Sequence, residues 1–255
     1  MPFSFGNAFN RFFSLLGANF VPFAIIGLIC TILPAMAAVY GESTYLGINQ
    51  GDPTWIQKLQ GFAPNIWAFA GIAWIFYMLF NLVSLSAVTE IAILRSVGKS
   101  VNYGAAIGNG LKNAIPLLVV EILVMLLVGL GFILLFVPGI IWSLCVCVAI
   151  PAYVGETKLG IFGAIGKSFQ LTRNHRWSLF LLFIVMGLIA GVAGGMMGMG
   201  LIGVPGGVTG LPSLLTRGFI NGIFTLLGQV LSASIYVSLR EGKEQIAPDV
   251  AASVF

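Results

Sequence analysis

Charge is scarce in this chain: Lys and Arg supply 12 residues and Asp and Glu supply 8, together 8% of 255. A soluble domain of that size needs several times more ionised surface, so the composition excludes one. Histidine occurs once, at His175. With a single imidazole the usual metal and nucleophile constellations cannot be assembled, and no catalytic or metal-ligating residue is assigned. Cys30, Cys145 and Cys147 lie in apolar segments, where a thiol acts as a small hydrophobe, so no disulfide framework is implied. No phosphate-binding G-x-x-x-x-G-K-[ST] loop occurs, and the glycine tracts lack the strand-then-helix context of a dinucleotide fold. No cofactor and no nucleic-acid partner is expected, and an enzyme is disfavoured.

What is abundant is apolar: 58% of residues are hydrophobic and the mean hydropathy is +1.03. A helix needs about 20 apolar residues to cross the hydrocarbon core, and six stretches qualify, at roughly 19–40, 65–93, 114–136, 139–155, 177–199 and 214–239. The fourth is the shortest. The third and fourth are read as two full crossings, with a re-entrant hairpin turning at Phe136-Val-Pro-Gly139 as the alternative. A cleavable signal ending near Ala35-Met-Ala37 is the rival reading of the first.

Three short stretches share one layout, Phe5 to Phe13, Tyr103 to Leu111 and Ile161 to Phe169, with Ala8, Ala106 and Ala164 in register. Apolar residues recur every fourth position in each, and each runs directly into an apolar segment. The expected fold is therefore an all-α polytopic membrane bundle of six spans in three hairpins, each hairpin preceded by an interfacial amphipathic helix. A single membrane domain over 1–240 divides into units of about 3–95, 101–156 and 159–240. Residues 241–255 are expected to form a short disordered cytoplasmic tail.

Cations resist translocation. Arg11, Arg95, Lys99, Lys112, Lys158, Lys167, Arg173, Arg176, Arg240 and Lys243 fall on one side of this topology, and only Lys58 and Arg217 on the other. Both termini are thus expected in the cytoplasm and the linker of about 41–64 outside. There, Asp52-Pro53 suggests a turn, and Trp55, Leu59 and Phe62 a short helix on the lipid surface. Pro34 and Pro151 are the expected kinks.

Ionisable residues within spans are costly and become candidates by default. Glu121 lies about 10 Å into the third span at 1.5 Å per residue; Glu90 is near an inner exit and Arg217 near an outer entrance. Each is read as an anchor or an internal pair, with a translocation role for Glu121 as the alternative. Gly187, Gly191 and Gly195 form one stripe on the fifth span and are read as a helix-packing face, used within the chain or in a homodimer. Arg95, Lys99, Lys112, Lys158, Lys167, Arg173 and Arg176 are candidate contacts for anionic headgroups. Glu156 precedes the third short helix and is expected to pair with Lys167 or Arg173, a headgroup site being the alternative.

The passage Pro138-Gly-Ile-Ile-Trp, Ile150-Pro-Ala-Tyr-Val-Gly-Glu156 and Gly163 to Trp177 resembles the signature region of the glycerophosphoryl diester phosphodiesterase membrane-domain family, which includes YciC-type bacterial inner-membrane proteins. Pro138-Gly139, Glu156, Ala164, Ser168, Leu171-Thr172 and Trp177 carry the resemblance, and Tyr236-Val-Ser-Leu-Arg240 resembles the family's terminal motif. It implies a bacterial inner-membrane location. It is not expected to bring phosphodiesterase activity, because only a tail of about 15 residues follows the membrane part here. The expected role is a non-enzymatic accessory or scaffold contacting anionic lipids, with a small transporter or channel as the alternative. A transporter would gather Asn81, Ser84, Ser86, Glu121, Asn221 and Gln229 around one cavity.

Overall fold

The computed structural model describes residues 5–45, 54, 57, 64–200 and 210–244. Every regular element among them is helical. Six stretches are long and apolar enough to cross a membrane: Phe20–Thr44, Ala70–Ser96, Ala114–Leu134, Phe136–Gly155, Arg176–Met196 and Leu211–Gly242. They coincide with the six expected runs to within a few residues, and the chain is a multi-pass membrane protein. The expected turn at Asp52-Pro53, the helix through Trp55, Leu59 and Phe62, and the glycine-rich turn over 201–209 lie outside the described residues.

The chain order is threefold. Helix α1 (Phe5–Ala18) leads into α2 (Phe20–Gly27), a π-helical segment over Leu28–Ile32 and α3 (Leu33–Tyr45), before α4 (Pro64–Ser96) returns. Next, α5 (Tyr103–Lys112) leads into α6 (Ala114–Leu134), followed by α7 (Phe136–Val146) and α8 (Ala149–Gly155). A 3-10 turn at Thr157–Leu159 precedes α9 (Gly160–Thr172), α10 (Arg176–Gly200) and α11 (Leu211–Glu244). The last helix runs four residues past the expected boundary at 240, so the described part of the supposed tail is helical; residues from 245 onward lie outside the described residues.

Proline sets several of these limits. Pro22, Pro64, Pro116, Pro138, Pro151 and Pro212 all occupy first turns, where the missing amide donor is not needed. The kink expected at Pro34 appears just before it: Leu33 N–H bonds to Leu28 O, five residues back, and the helix widens into its π segment. The kink expected at Pro151 is a break at Cys147–Val148 that starts α8 two residues earlier. The hairpin turn is not at Phe136-Val-Pro-Gly139, which is already helical. It is made by Leu135 alone, extended at φ −167° and ψ 153°, with Gly131 and Gly139 packed across it; a Cβ on Gly131 would lie 2.9 Å from Gly139 Cα.

The main apolar core forms around α11. Val230, Ala233, Ile235, Tyr236 and Leu239 meet Phe23, Val88, Ile91, Leu179 and Leu182 there. A second cluster joins Leu82, Leu117, Val120, Ala149, Ile150 and Ala164. The three short helices enter this core through their register alanines: Ala8, Ala106 and Ala164 are each 0% exposed. The apolar face expected to define them, by contrast, points partly outward, with Phe13 and Leu111 exposed. Small residues admit close packing, so each helix lies down on its alanine, with Phe12 and Leu15 buried near Ala8 and with Phe9, Ile107, Ile161, Ile165 and Phe169 partly buried against the clusters.

Candidate functional site

The short helices and the ends of the spans meet at one end of the bundle. Arg11 pairs with Glu241 at 2.8 Å, joining α1 to the end of α11. At the α1–α2 junction Asn19 is buried and its side-chain amide donates to Leu15 O. Its Oδ1 accepts from Arg95 Nε at 3.0 Å, while Arg95 Nη2 donates to Tyr103 Oη at 3.1 Å. Asn102 caps α5 by accepting from Ala105 N–H. Asn109 then donates to Glu90 at 3.0 Å, which fixes α5 against α4. Glu90 is therefore an internal partner, one of its two expected roles.

Glu156 lies where α8, α9 and α11 converge. Its Oε1 sits 3.4 Å from Lys167 Nζ and 3.9 Å from Arg240 Nε. The pairing with Lys167 is as expected; Arg173 is exposed and takes no part in either pair. Arg240 was not foreseen as a partner, although it ends the motif that Tyr236 begins. Tyr236 itself is 0% exposed and its hydroxyl lies against Gly155, where any Cβ would collide with it.

The residues carrying the resemblance also repair the backbone. A helix broken inside a membrane protein exposes carbonyls that lipid cannot satisfy. Ser168 Oγ donates to Cys145 O at 2.7 Å, and Ser232 Oγ donates to Cys147 O at 3.1 Å. Thr172, also buried, donates to Ser168 O at 2.9 Å. Hydroxyls on α9 and α11 thus stabilise the α7–α8 break.

A separate polar cluster lies near the middle of the spans. Thr31 Oγ1 donates to Ser84 Oγ at 3.0 Å, Ser84 Oγ donates to Gln229 Oε1 at 2.6 Å, and Gln229 Nε2 donates to Asn81 O at 3.2 Å. Thr31 and Ser84 are 0% exposed and Gln229 is 7% exposed. Of the six polar residues tied to the transporter reading, Asn81, Ser84 and Gln229 come together. Asn221 is exposed, while Ser86 and Glu121 take no part in the network. Thr31 was missed; the signal was a hydroxyl three residues before Pro34, where a span is expected to deform.

Glu121 is partly buried on α6 and makes no hydrogen bond or ion pair among the described residues. Arg217 lies near enough to Glu42 of α3 for their opposite charges to interact, a partner not anticipated. Arg95, Lys112, Lys158 and Arg173 are exposed; Lys99, Lys167 and Arg176 are partly buried.

Among the described residues the glycine stripe packs against nothing. Gly187, Gly191 and Gly195 are exposed, and a Cβ at any of them meets nothing within 4 Å. Helix α10 is buried at Leu179 and Leu182 but exposes Leu188, Ile189, Val192 and Met196. The close approach occurs instead at Gly218 and Gly222 of α11, which lie against the backbone of Met36 and Ile32. Their four-residue spacing was visible in the sequence. Comparison with protein-family models, curated proteins and solved structures gives no match.

Proposed function

We propose that the protein is a non-enzymatic scaffold of the bacterial inner membrane, both termini cytoplasmic, whose rim of short amphipathic helices contacts anionic lipid. The observation that carries this is the chemistry of that rim. Exposed Lys112 ends the second short helix and exposed Lys158 and Arg173 flank the third, while the three short helices expose Phe13, Leu111 and Phe162, with Trp177 85% exposed next to Arg176. Aromatic and apolar side chains interleaved with cations suit the boundary between acyl chains and headgroups. The proposed membership of the glycerophosphoryl diester phosphodiesterase membrane-domain family agrees with this location.

Each cation near an anionic surface contributes about 1 kcal/mol. The variant with Lys112, Lys158 and Arg173 all changed to Gln is expected to retain markedly less phosphatidylglycerol in native mass spectrometry, with its melting temperature unchanged. Equal retention by variant and parent would remove the lipid-binding reading. Orientation has its own test. Cysteine introduced at Asp52 should react with an impermeant thiol reagent in intact cells, and cysteine at Asn102 should not; the opposite labelling would invert the topology.

The second reading, a small transporter, rests on the buried cluster of Thr31, Ser84, Asn81 and Gln229 beside a π segment. Local π geometry is frequent at functional sites. The members of this cluster bond to one another, which favours a structural role.

A further inference from the structure

Arg176 opens α10 at the corner where the third short helix turns into a membrane span. The chain reverses there through Arg173, Asn174 and His175, with Asn174 in the left-handed region at φ 76°, a conformation that asparagine tolerates better than most residues. Arg173 in this turn is exposed, and Trp177, next along, projects from the bundle. An exposed indole beside arginines at the head of a span marks the boundary between acyl chains and headgroups.

The Arg176 guanidinium has no acceptor at this corner. Arg11 and Arg240 each face a carboxylate, and Arg95 bonds to Asn19 and Tyr103. Arg176, partly buried, makes no hydrogen bond or ion pair among the described residues. Its Nε is enclosed without a partner, whereas its two Nη atoms are not shut in and stand at the margin of the bundle. The side chain lies close enough to Cys145 of α7 for its charge to act there, but a thiol supplies no counter-charge. An arginine cannot shed its proton to suit such a place, and a charged donor held from water without an acceptor is costly. The outer edge of the fork is thus left aimed at something beyond the chain.

We propose that Arg176 binds one phosphate group per chain, the outer edge of its guanidinium donating to two phosphate oxygens. The planar fork matches phosphate geometry, which a point charge such as an ammonium does not. A phosphodiester carries a single negative charge and neutralises Arg176, while exposed Arg173 adds attraction from the same turn. Trp177 and Phe162, 85% and 79% exposed, offer apolar surface to the glycerol and upper acyl chains of a lipid seated there. The same chemistry serves a lipid headgroup and a free phosphate. The inference rests on the anionic-lipid reading above and gives it a stoichiometric site, distinct from the diffuse contribution of Lys112, Lys158 and Arg173.

Keeping the charge while changing the shape separates a site from a diffuse field. In native mass spectrometry of the full-length protein with phosphatidylglycerol, and phosphatidylcholine as net-neutral reference, Arg176→Gln should weaken retention of one phosphatidylglycerol by about tenfold, the effect of losing a charged hydrogen-bonded pair. Arg176→Lys keeps the charge without the fork and should still weaken it by about threefold. Equal retention by Arg176→Lys and the parent would make Arg176 one more surface cation and overturn the proposal. A fall in melting temperature in both variants with lipid retention unchanged would overturn it too, since that is the result expected of a guanidinium that only braces α10 against α7. If Arg176→Gln does not fold, the charge-preserving Arg176→Lys carries the test alone. The source of the phosphate is read from a parallel arm with inorganic phosphate: a rise in the melting temperature of the detergent-solubilised parent, lost in Arg176→Gln, identifies free phosphate if the lipid arm shows no response. Absence of a response in both arms rejects the site. Failure of the wider reading is distinguishable, because loss of lipid in the Lys112, Lys158, Arg173 variant with none in the Arg176 variants keeps the rim and removes the site, and the reverse keeps the site and removes the diffuse rim.

Discussion

Replacing Gly222 with leucine is expected to separate α11 from the first membrane span and to destabilise the bundle by about 3 kcal/mol or more, the upper part of the overpacking range. A Cβ at Gly222 would lie 2.5 Å from Ile32 Cα and 2.9 Å from Ile32 Cγ1. One turn earlier Gly218 lies against Met36 backbone, and one turn later Leu226 fills the space left by Gly27. In lipid, helices associate through such close fits rather than through a hydrophobic driving force. Because backbone atoms form the obstacle, no rotamer change relieves it. Gly191→Leu is the matched control, since nothing stands within 4 Å of that position. Thermal denaturation of the two variants in detergent should show a large loss for the first and none for the second. Similar curves would mean that the α3–α11 contact does not hold the bundle.

The pair of glycine motifs shows what the sequence could and could not reveal. Both tracts have small residues four apart, and composition favoured the longer one in α10. Which stripe packs depends on what lies opposite, and that is a property of topology: α11 is wrapped by α3, α4 and α1, whereas α10 contacts the bundle mainly through its first half. The spans themselves were legible because lipid leaves a chain few choices; every backbone group must bond within the segment, so length and hydropathy suffice. The short helices were legible through their repeat, but their orientation was not. Periodicity marks an apolar face without saying whether protein or lipid covers it, and Ala8, Ala106 and Ala164 proved to be the covered side. Glu156 and Lys167 lie eleven residues apart and could be paired by eye. Arg240 reaches the same carboxylate from a helix more than eighty residues away, a proximity that no local pattern encodes. The same holds for Glu42 and Arg217.

Gln229→Leu is the second substitution with a large expected effect. Gln229 accepts from Ser84 Oγ at 2.6 Å and donates to Asn81 O at 3.2 Å, so leucine leaves a buried hydroxyl without its acceptor and a carbonyl without its donor. A hydrogen bond between membrane helices contributes about 0.6 kcal/mol on average, while each buried group left unsatisfied costs about 1–3 kcal/mol. The second magnitude dominates here, because Ser84 is fully enclosed and cannot turn to lipid or water for a partner. A loss of about 2 kcal/mol is therefore expected in detergent unfolding, and adding Ser84→Ala together with Thr31→Val should recover part of it by removing both hydroxyls of the donor chain that would otherwise lack an acceptor. Asn221→Leu, on the exposed face of the same helix, should change little. The recovery is the informative quantity. If it appears, the cluster is glue between the first, second and last spans, and the scaffold reading needs nothing more from it. If Gln229→Leu and Ser84→Ala are each neutral or stabilising, these polar groups are not holding the bundle together. Their presence near the middle of three apolar helices would then need a transported ligand to explain it, and the transporter reading would take precedence over the scaffold.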